Sequence, residues 1–199
     1  MRVGVIGGTF DPIHIGHLVI AEEARGRLNL DRVVFVPAAT PPHKVDNDIS
    51  SVEHRLAMVE LAIATNPYFF LSRVDIERSG PCYTIDTIKL LRDEWGPGVE
   101  IYFIMGQDSL VDILTWHEPQ RLIRLCRLVV LSRPGYKADL EELEALLPGI
   151  TPHTHILNSP ELDISSSDIR QRVREGLPIK YQVPEAVEEY IYAHGLYRD

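Results

Sequence analysis

Short apolar runs alternate with longer amphipathic stretches along this chain. Residues 2–6, 33–36, 99–104 and 128–131 are apolar and rich in β-branched side chains. That pattern predicts strands buried on both faces, as parallel sheets require. A more polar run over 69–76 predicts a fifth strand. Between them, 16–28, 52–64, 84–95 and 109–125 predict helices, the last in one or two pieces. Strands alternating with helices predict right-handed βαβ crossovers. The fold class is therefore α/β, a Rossmann-like, doubly wound, mostly parallel sheet with helices on both faces.

The last third changes character. Residues 165–175 carry Ile169 and Val173 four apart and stop at Gly176, as a short helix should. Residues 184–194 place Val187, Tyr190, Ile191 and His194 on one stripe, with Gly195 beyond. We read residues 164–199 as a small C-terminal helical cap on a single domain spanning 1–199, and the Pro- and Gly-containing stretch 148–152 as a loop.

Composition narrows the function classes. The 199 residues carry a net charge of −9, with 45% hydrophobic and 25% charged positions. These proportions suit a globular protein with a substantial core and exclude disorder, collagen and coiled coil. An acidic balance opposes binding to a nucleic acid polymer, whose phosphates demand many Lys and Arg. Residues 1–6 are too short an apolar run for a secretory signal, and no stretch is long enough to cross a bilayer, so no membrane partner is expected. Two cysteines, Cys82 and Cys126, make no disulfide framework; reduced thiols and a cytoplasmic location are expected. A homo-oligomer is left open.

In an open parallel sheet, ligands bind beyond the carboxyl ends of the strands, so the loop after the first strand is the first candidate. There, Gly7 and Gly8 let a ligand approach the backbone, Thr9 adds a hydroxyl, and a helix start follows. Phosphate is the natural guest. The spacing matches neither G-x-G-x-x-G nor G-K-[ST]. Instead His14 and His17 stand three apart, on one face of a helix start, where imidazole N–H groups can meet phosphate oxygens. As a metal pair they would lack a third ligand at a persuasive spacing, and no metal site is expected. A second helix start lies at Ser165-Ser166-Ser167, with Arg170 a turn later as a planar phosphate donor. Taken alone, that serine run is also an ordinary helix cap.

The string from Gly7 to His17, ending in His14-Ile15-Gly16-His17, resembles the nucleotidylyltransferase superfamily with its H-x-G-H signature, and within it the bacterial nicotinate-nucleotide adenylyltransferases. Ile164-Ser165-Ser166-Ser167-Asp168-Ile169-Arg170 is similar to that family's I-S-S-[ST]-x-I-R segment, and Gly80-Pro81-Cys82-Tyr83-Thr84-Ile85-Asp86-Thr87 to its G-x-S-Y-T-x-D-T, with Cys82 at the serine position. Pro41-Pro42-His43-Lys44, His54-Arg55 with Met58, and Ser132-Arg133-Pro134-Gly135 are further matches.

The resemblance implies transfer of AMP from ATP to nicotinate mononucleotide, giving deamido-NAD and pyrophosphate, with Mg²⁺ arriving on the ATP. It implies that His14, His17 and Arg170 are catalytic. Gly7, Gly8, Thr9, Phe10, Gly106, Asp108, Arg133, Ser165 and Ser166 would bind ATP. His43, Lys44, Thr84, Trp116 and His117 would bind the acceptor, Thr84 capping a helix and the indole stacking on a cationic pyridinium. Relatives often carry Tyr at the His117 position. Nicotinamide mononucleotide and phosphopantetheine are the alternative acceptors. A nucleotide sensor without chemistry is a further reading, against which His14, His17 and Arg170 speak. The acidic excess lies away from both phosphate motifs, at 139–144 and 185–189, so a locally positive pocket is compatible with a net negative chain.

Overall fold

The computed structural model describes residues 1–39, 49–131, 139–158, 160 and 162–198. Alternation along the central strands explains its layering. In β1 (Arg2–Gly8), Val3 and Val5 are buried in one core and Ile6 in another. In β2 (Arg32–Pro37), Val34 and Val36 join the first of these cores while Val33 and Phe35 join the second. A strand apolar on both faces must be covered on both, and helices supply the covering.

One face carries α1 (Ile15–Leu28), which buries Ala21 and Ala24, and α2 (Val52–Ile63), which buries Met58 and Val59. The other carries α4 (Thr84–Trp95), α6 (Pro119–Leu125) and α7 (Leu140–Leu146), through Ile85, Ile88, Leu91, Leu122 and Leu143. With β3 (Phe69–Leu71), β4 (Glu100–Gly106), β5 (Arg127–Leu131) and β6 (Thr154–Leu157), the strands form one sheet in the order β3-β2-β1-β4-β5-β6, and every neighbouring pair is parallel. The chain leaves β1 towards β2 and later returns to its other side with β4. The crevice between the carboxyl ends of β1 and β4 is therefore the topological switch point.

The C-terminal helices α8 (Ser166–Arg174) and α9 (Glu185–Ala193) are integral to this packing. Ile169, Val173, Val187 and Ile191 belong to the same core as Ile6, Phe35 and Val129, so they complete the layer begun by α1 and α2. Both end as the sequence signals: Gly176 and Gly195 follow with φ of 69° and 61°, the left-handed conformation that glycine adopts without penalty.

Two regions differ from the pattern-based reading, and a third resolves into the two pieces it allowed. The strand expected over 69–76 stops at Leu71, because the Ser72 hydroxyl accepts the Val74 amide and starts a short helix, α3 (Val74–Glu77). Residues 109–125 break into α5 (Gln107–Val111), a 3-10 turn at Ile113–Thr115, and α6. The break lies at Glu118, whose φ is 50°, with Pro119 restarting the helix. The sixth strand and α7 have no counterpart among the predicted elements: β6 is an edge strand opening on Thr154 and His155, and α7 is short, with three of its seven residues acidic.

Among the described residues no helix is long and apolar enough to cross a membrane. Cys82 and Cys126 are both free and buried. Burial in apolar surroundings pushes the Cys126 thiol up to about 12, against which nearby Arg92 acts only weakly. Thiolate is the reactive form. Cys126 in the native protein is therefore expected to resist an alkylating reagent at neutral pH and to become reactive once the chain is unfolded, as peptide mass mapping would read; rapid native labelling would contradict its burial.

Candidate active site

At the switch point lies a cleft of about 940 Å³. Its floor is the carboxyl end of the sheet, with Gly7 and Gly8 from β1 and Gly106 from β4. Thr9, His14 and His17 line it from the first loop and helix, Ser165 to Ser167 from the start of α8, and Thr84, Trp116 and His117 from the opposite side. Folding thus brings together motifs some 150 residues apart in sequence.

The first loop sets the histidine geometry. His14 is the N-cap residue of α1, and its backbone N–H donates to Nδ1 of His17 at 3.2 Å, while the His17 amide donates to the His14 carbonyl at 3.0 Å. Since Nδ1 of His17 accepts a bond, the neutral ring carries its proton on Nε2. The two rings lie 3.7 Å apart between centroids, tilted by 30°, and His14 is 5% exposed. Gly16 belongs to this arrangement: a Cβ there would stand 3.0 Å from Cε1 and Nδ1 of His14. Phe10, expected on ATP, is instead a core residue. It is 2% exposed and packs edge-on against His17 at 5.1 Å and tilted against Phe35 at 5.9 Å, so its role is to wedge the loop.

The start of α8 lines the cleft and carries its own hydrogen bonds. The Ser165 hydroxyl accepts the Asp168 amide at 3.1 Å and donates to the Asp168 carboxylate at 2.7 Å, a closed capping arrangement. The Ser166 hydroxyl donates to the Pro12 carbonyl at 2.9 Å. Both hydroxyls are engaged within the protein, and the donors α8 offers the cleft are its first-turn amides. Arg170, expected on the leaving phosphates, lies off the cleft wall. Its Nη1 donates to the Asp11 carbonyl at 2.7 Å, while Nε is buried without a hydrogen-bond partner among the described residues. Arg170 therefore ties α8 to the first loop.

Opposite the histidines, Thr84 is the first helical residue of α4; the N-cap is Tyr83, so Thr84 does not cap the helix as expected. Tyr83 stacks on His117 at 4.4 Å, and Trp116 meets Phe103 edge-on at 6.0 Å. The wall beneath them is fixed by Asp75, 5% exposed, which accepts the Thr87 hydroxyl at 2.7 Å and Nε of Arg78 at 2.9 Å. Asp108 sits over Gly106 so closely that a Cβ on the glycine would overlap its carboxylate. His43, Lys44 and Arg133 lie outside the described residues.

Among the described residues, no Lys or Arg lines the cleft. Its positive field comes from the helix ends and imidazoles, with Arg170 and Arg55 behind the wall. Sequence reasoning assigned no role to Arg55, Asp11, Tyr197 or Asp75. Asp11, 2% exposed, accepts the Tyr197 hydroxyl at 2.7 Å and the Ser50 amide at 3.1 Å. Burial, then the Asp11 charge, raises the Tyr197 phenol well above its ordinary range, so it stays protonated and donating. The only advance signal for Arg55 was its place in the His54-Arg55 segment. Among the described residues no group of three or more His, Cys, Asp or Glu side chains is arranged to hold a metal ion.

Parallel strands, a glycine floor at the switch point and opposed helix starts define a nucleotide-handling α/β enzyme. Residues 5–172 match the cytidylyltransferase-like family. The probable nicotinate-nucleotide adenylyltransferase of Thermomicrobium roseum is 51% identical over 197 residues, covering 99% of this chain and 92% of that protein. Its counterpart from Moorella thermoacetica is 51% identical over 199 residues, with 99% and 92% covered. The solved Plasmodium falciparum nicotinic acid mononucleotide adenylyltransferase, complexed with NaAD, superposes with a TM-score of 0.80 at 24% identity, covering 98% of this chain and 97% of that one. The chain belongs to the cytidylyltransferase-like family and, within it, to the nicotinate-nucleotide adenylyltransferases.

Proposed function

We propose that the protein transfers the adenylyl group of ATP to nicotinate mononucleotide. A phosphate oxygen of the acceptor attacks the α-phosphorus in line, the bond from that phosphorus to the β-bridging oxygen breaks, and pyrophosphate leaves with the bonding electrons. The observation that carries this reading is the cleft at the switch point, with His14, His17 and the start of α8 at one side and Thr84, Trp116 and His117 at the other. The acceptor phosphate is already an anion, so no general base is required, and catalysis rests on positioning and charge stabilisation.

Nε2–H of His17 and the first-turn amides of α8 meet the triphosphate, and His14 supports His17 through their close rings. Backbone at Gly7 and Gly8 and the Thr9 hydroxyl complete the phosphate side, and Asp108 accepts ribose hydroxyls. The start of α4 receives the acceptor carboxylate, and the Trp116 face takes the pyridinium. Magnesium enters with ATP as part of the substrate, held by phosphate oxygens and water. The two free, buried thiols suit a reducing compartment, and we place the enzyme in the cytoplasm.

With MgATP and nicotinate mononucleotide the protein is expected to form deamido-NAD and release pyrophosphate in equal amounts, with kcat/KM at least tenfold above that for nicotinamide mononucleotide, since charge-assisted bonds to a carboxylate contribute roughly 1.5–3 kcal/mol each. Coupled pyrophosphate detection and product chromatography would measure both. No turnover with this acceptor, or much faster turnover with phosphopantetheine, would overturn the assignment.

A further inference from the structure

Arg55 is the most unusual charged residue in the described structure. It projects from the first turn of α2, is 1% exposed, and makes no direct ion pair with a carboxylate among the described residues. Its guanidinium donates instead to four backbone carbonyls. Nη1 reaches Thr9 and Ala38, each at 2.8 Å; Nη2 reaches Ala39 at 3.2 Å; Nε reaches Ser50 at 3.1 Å. Those carbonyls come from three separate segments: the loop after β1, the chain leaving β2, and the approach to α2. A buried charge is costly unless its donors are satisfied, and here four carbonyl dipoles do that work. Asp11 supplies the nearest opposing charge, and Asp11 is itself held by Ser50 and Tyr197.

We propose that Arg55 is a positioning residue of the nucleotide site: it fixes the phosphate loop at Thr9 against the chain leaving β2 and places a buried positive charge directly behind that loop. Two features of the cleft give this weight. Thr9 and Ala38 both line it, so the same Nη1 that bridges their carbonyls sets the spacing of two wall segments. No described cleft-lining residue is Lys or Arg, so a guanidinium one peptide group behind the surface is a substantial part of the local field. A carbonyl drawn towards Arg55 also leaves its peptide N–H a stronger donor. Arg55 bonds directly to Thr9 in the phosphate loop and to none of Thr84, Trp116 or His117, so MgATP binding is its most direct readout. The inference rests on the adenylyltransferase reading only for what is turned over, because ATP binding alone also reports it.

The test compares wild type with Arg55→Met and Arg55→Lys, measuring MgATP dissociation constants by calorimetry without acceptor, then kcat and both KM values, with circular dichroism to establish folding at the assay temperature. Arg55→Met is expected to weaken MgATP binding and to lower kcat, each about tenfold, while the acceptor KM stays within twofold. A folded Arg55→Met with MgATP affinity and kcat within threefold of wild type would overturn the proposal, as would losses that merely follow the fraction unfolded. Should Arg55→Met fail to fold, Arg55→Lys decides: it keeps the charge but reaches fewer carbonyls, so a loss of at least threefold in MgATP affinity and kcat supports the proposal and wild-type values refute it. If the wild type binds MgATP but adenylylates none of the acceptors, the functional reading fails, and the binding arm still decides on Arg55.

Discussion

His17→Ala is expected to lower kcat by roughly 100- to 1,000-fold, the usual consequence of removing one preorganised donor from developing negative charge. Stability should change little. Among what the substitution removes is the bond from the His14 amide to Nδ1 of His17 at the start of α1, worth about 1 kcal/mol. For a chain of this size that is a shift of about 2–4 °C in Tm. The KM for nicotinate mononucleotide should stay close to wild type, because Thr84, Trp116 and His117 line another part of the cleft. Steady-state kinetics beside a thermal melt separates the two effects. If activity falls only as far as the folded fraction does, His17 is a structural cap and the transition-state role is wrong. His17→Gln keeps an amide donor but loses the aromatic ring that Phe10 packs against, so it should recover only part of the loss.

Much of this site was legible because short motifs sit where apolar runs end. Ile6 gives way to Gly7-Gly8 and Met105 to Gly106, and in a parallel sheet both must open at the same edge. The helix starts at His14 and Ser165 were equally plain, since imidazole or hydroxyl groups stand where each helix begins, the second of them amphipathic. Less legible was how each polar side chain divides itself between ligand and protein. Ser165 and Ser166 carry hydroxyls suited to phosphate, yet one closes its own helix cap and the other holds Pro12. Arg170 has a guanidinium suited to phosphate, yet it reaches the Asp11 carbonyl. Such choices depend on which carbonyls folding leaves in want of donors, and sequence spacing does not carry that information. Arg55 shows the same gap from the other side. An arginine inside an amphipathic helix reads as exposed, and only the convergence of three segments makes it the buried clamp observed.

The fold was clearest where burial is two-sided. Central strands β1, β2, β4 and β5 are unmistakable, because both faces demand apolar residues. The edges were not: β3 is three residues long and β6 keeps none of its four fully buried. Edge strands pack against one neighbour only, so selection for apolar alternation is weak there. The C-terminal helices are legible as a helical cap, but how deeply they pack is not. Their apolar stripes are short, and nothing local says that Ile169 and Val187 meet the core of the first strand.

Gly16→Ala is expected to cost far more in activity than in stability. Alanine is favoured over glycine by about 1 kcal/mol in a helix interior, but Gly16 is the second residue of α1, so the gain is smaller there and the crowding of His14 offsets it, leaving the melting temperature near the wild-type value. Its new methyl group, however, would stand 3.0 Å from Cε1 and Nδ1 of His14. The His14 ring has little room to yield: it is 5% exposed, and the His17 ring lies 3.7 Å away. Relief must come from turning His14 into His17 or from shifting the loop. Either moves the Nε2–H donor that meets the triphosphate, and displacements of this kind cost on the order of 30- to 100-fold in kcat. Losing activity while the fold and melting temperature are kept would assign the glycine between the two histidines to the clearance of an imidazole, since its backbone is ordinary helix. Wild-type kcat in a folded Gly16→Ala would mean that His14 can move without consequence, and would leave His17 as the one imidazole whose position governs the reaction.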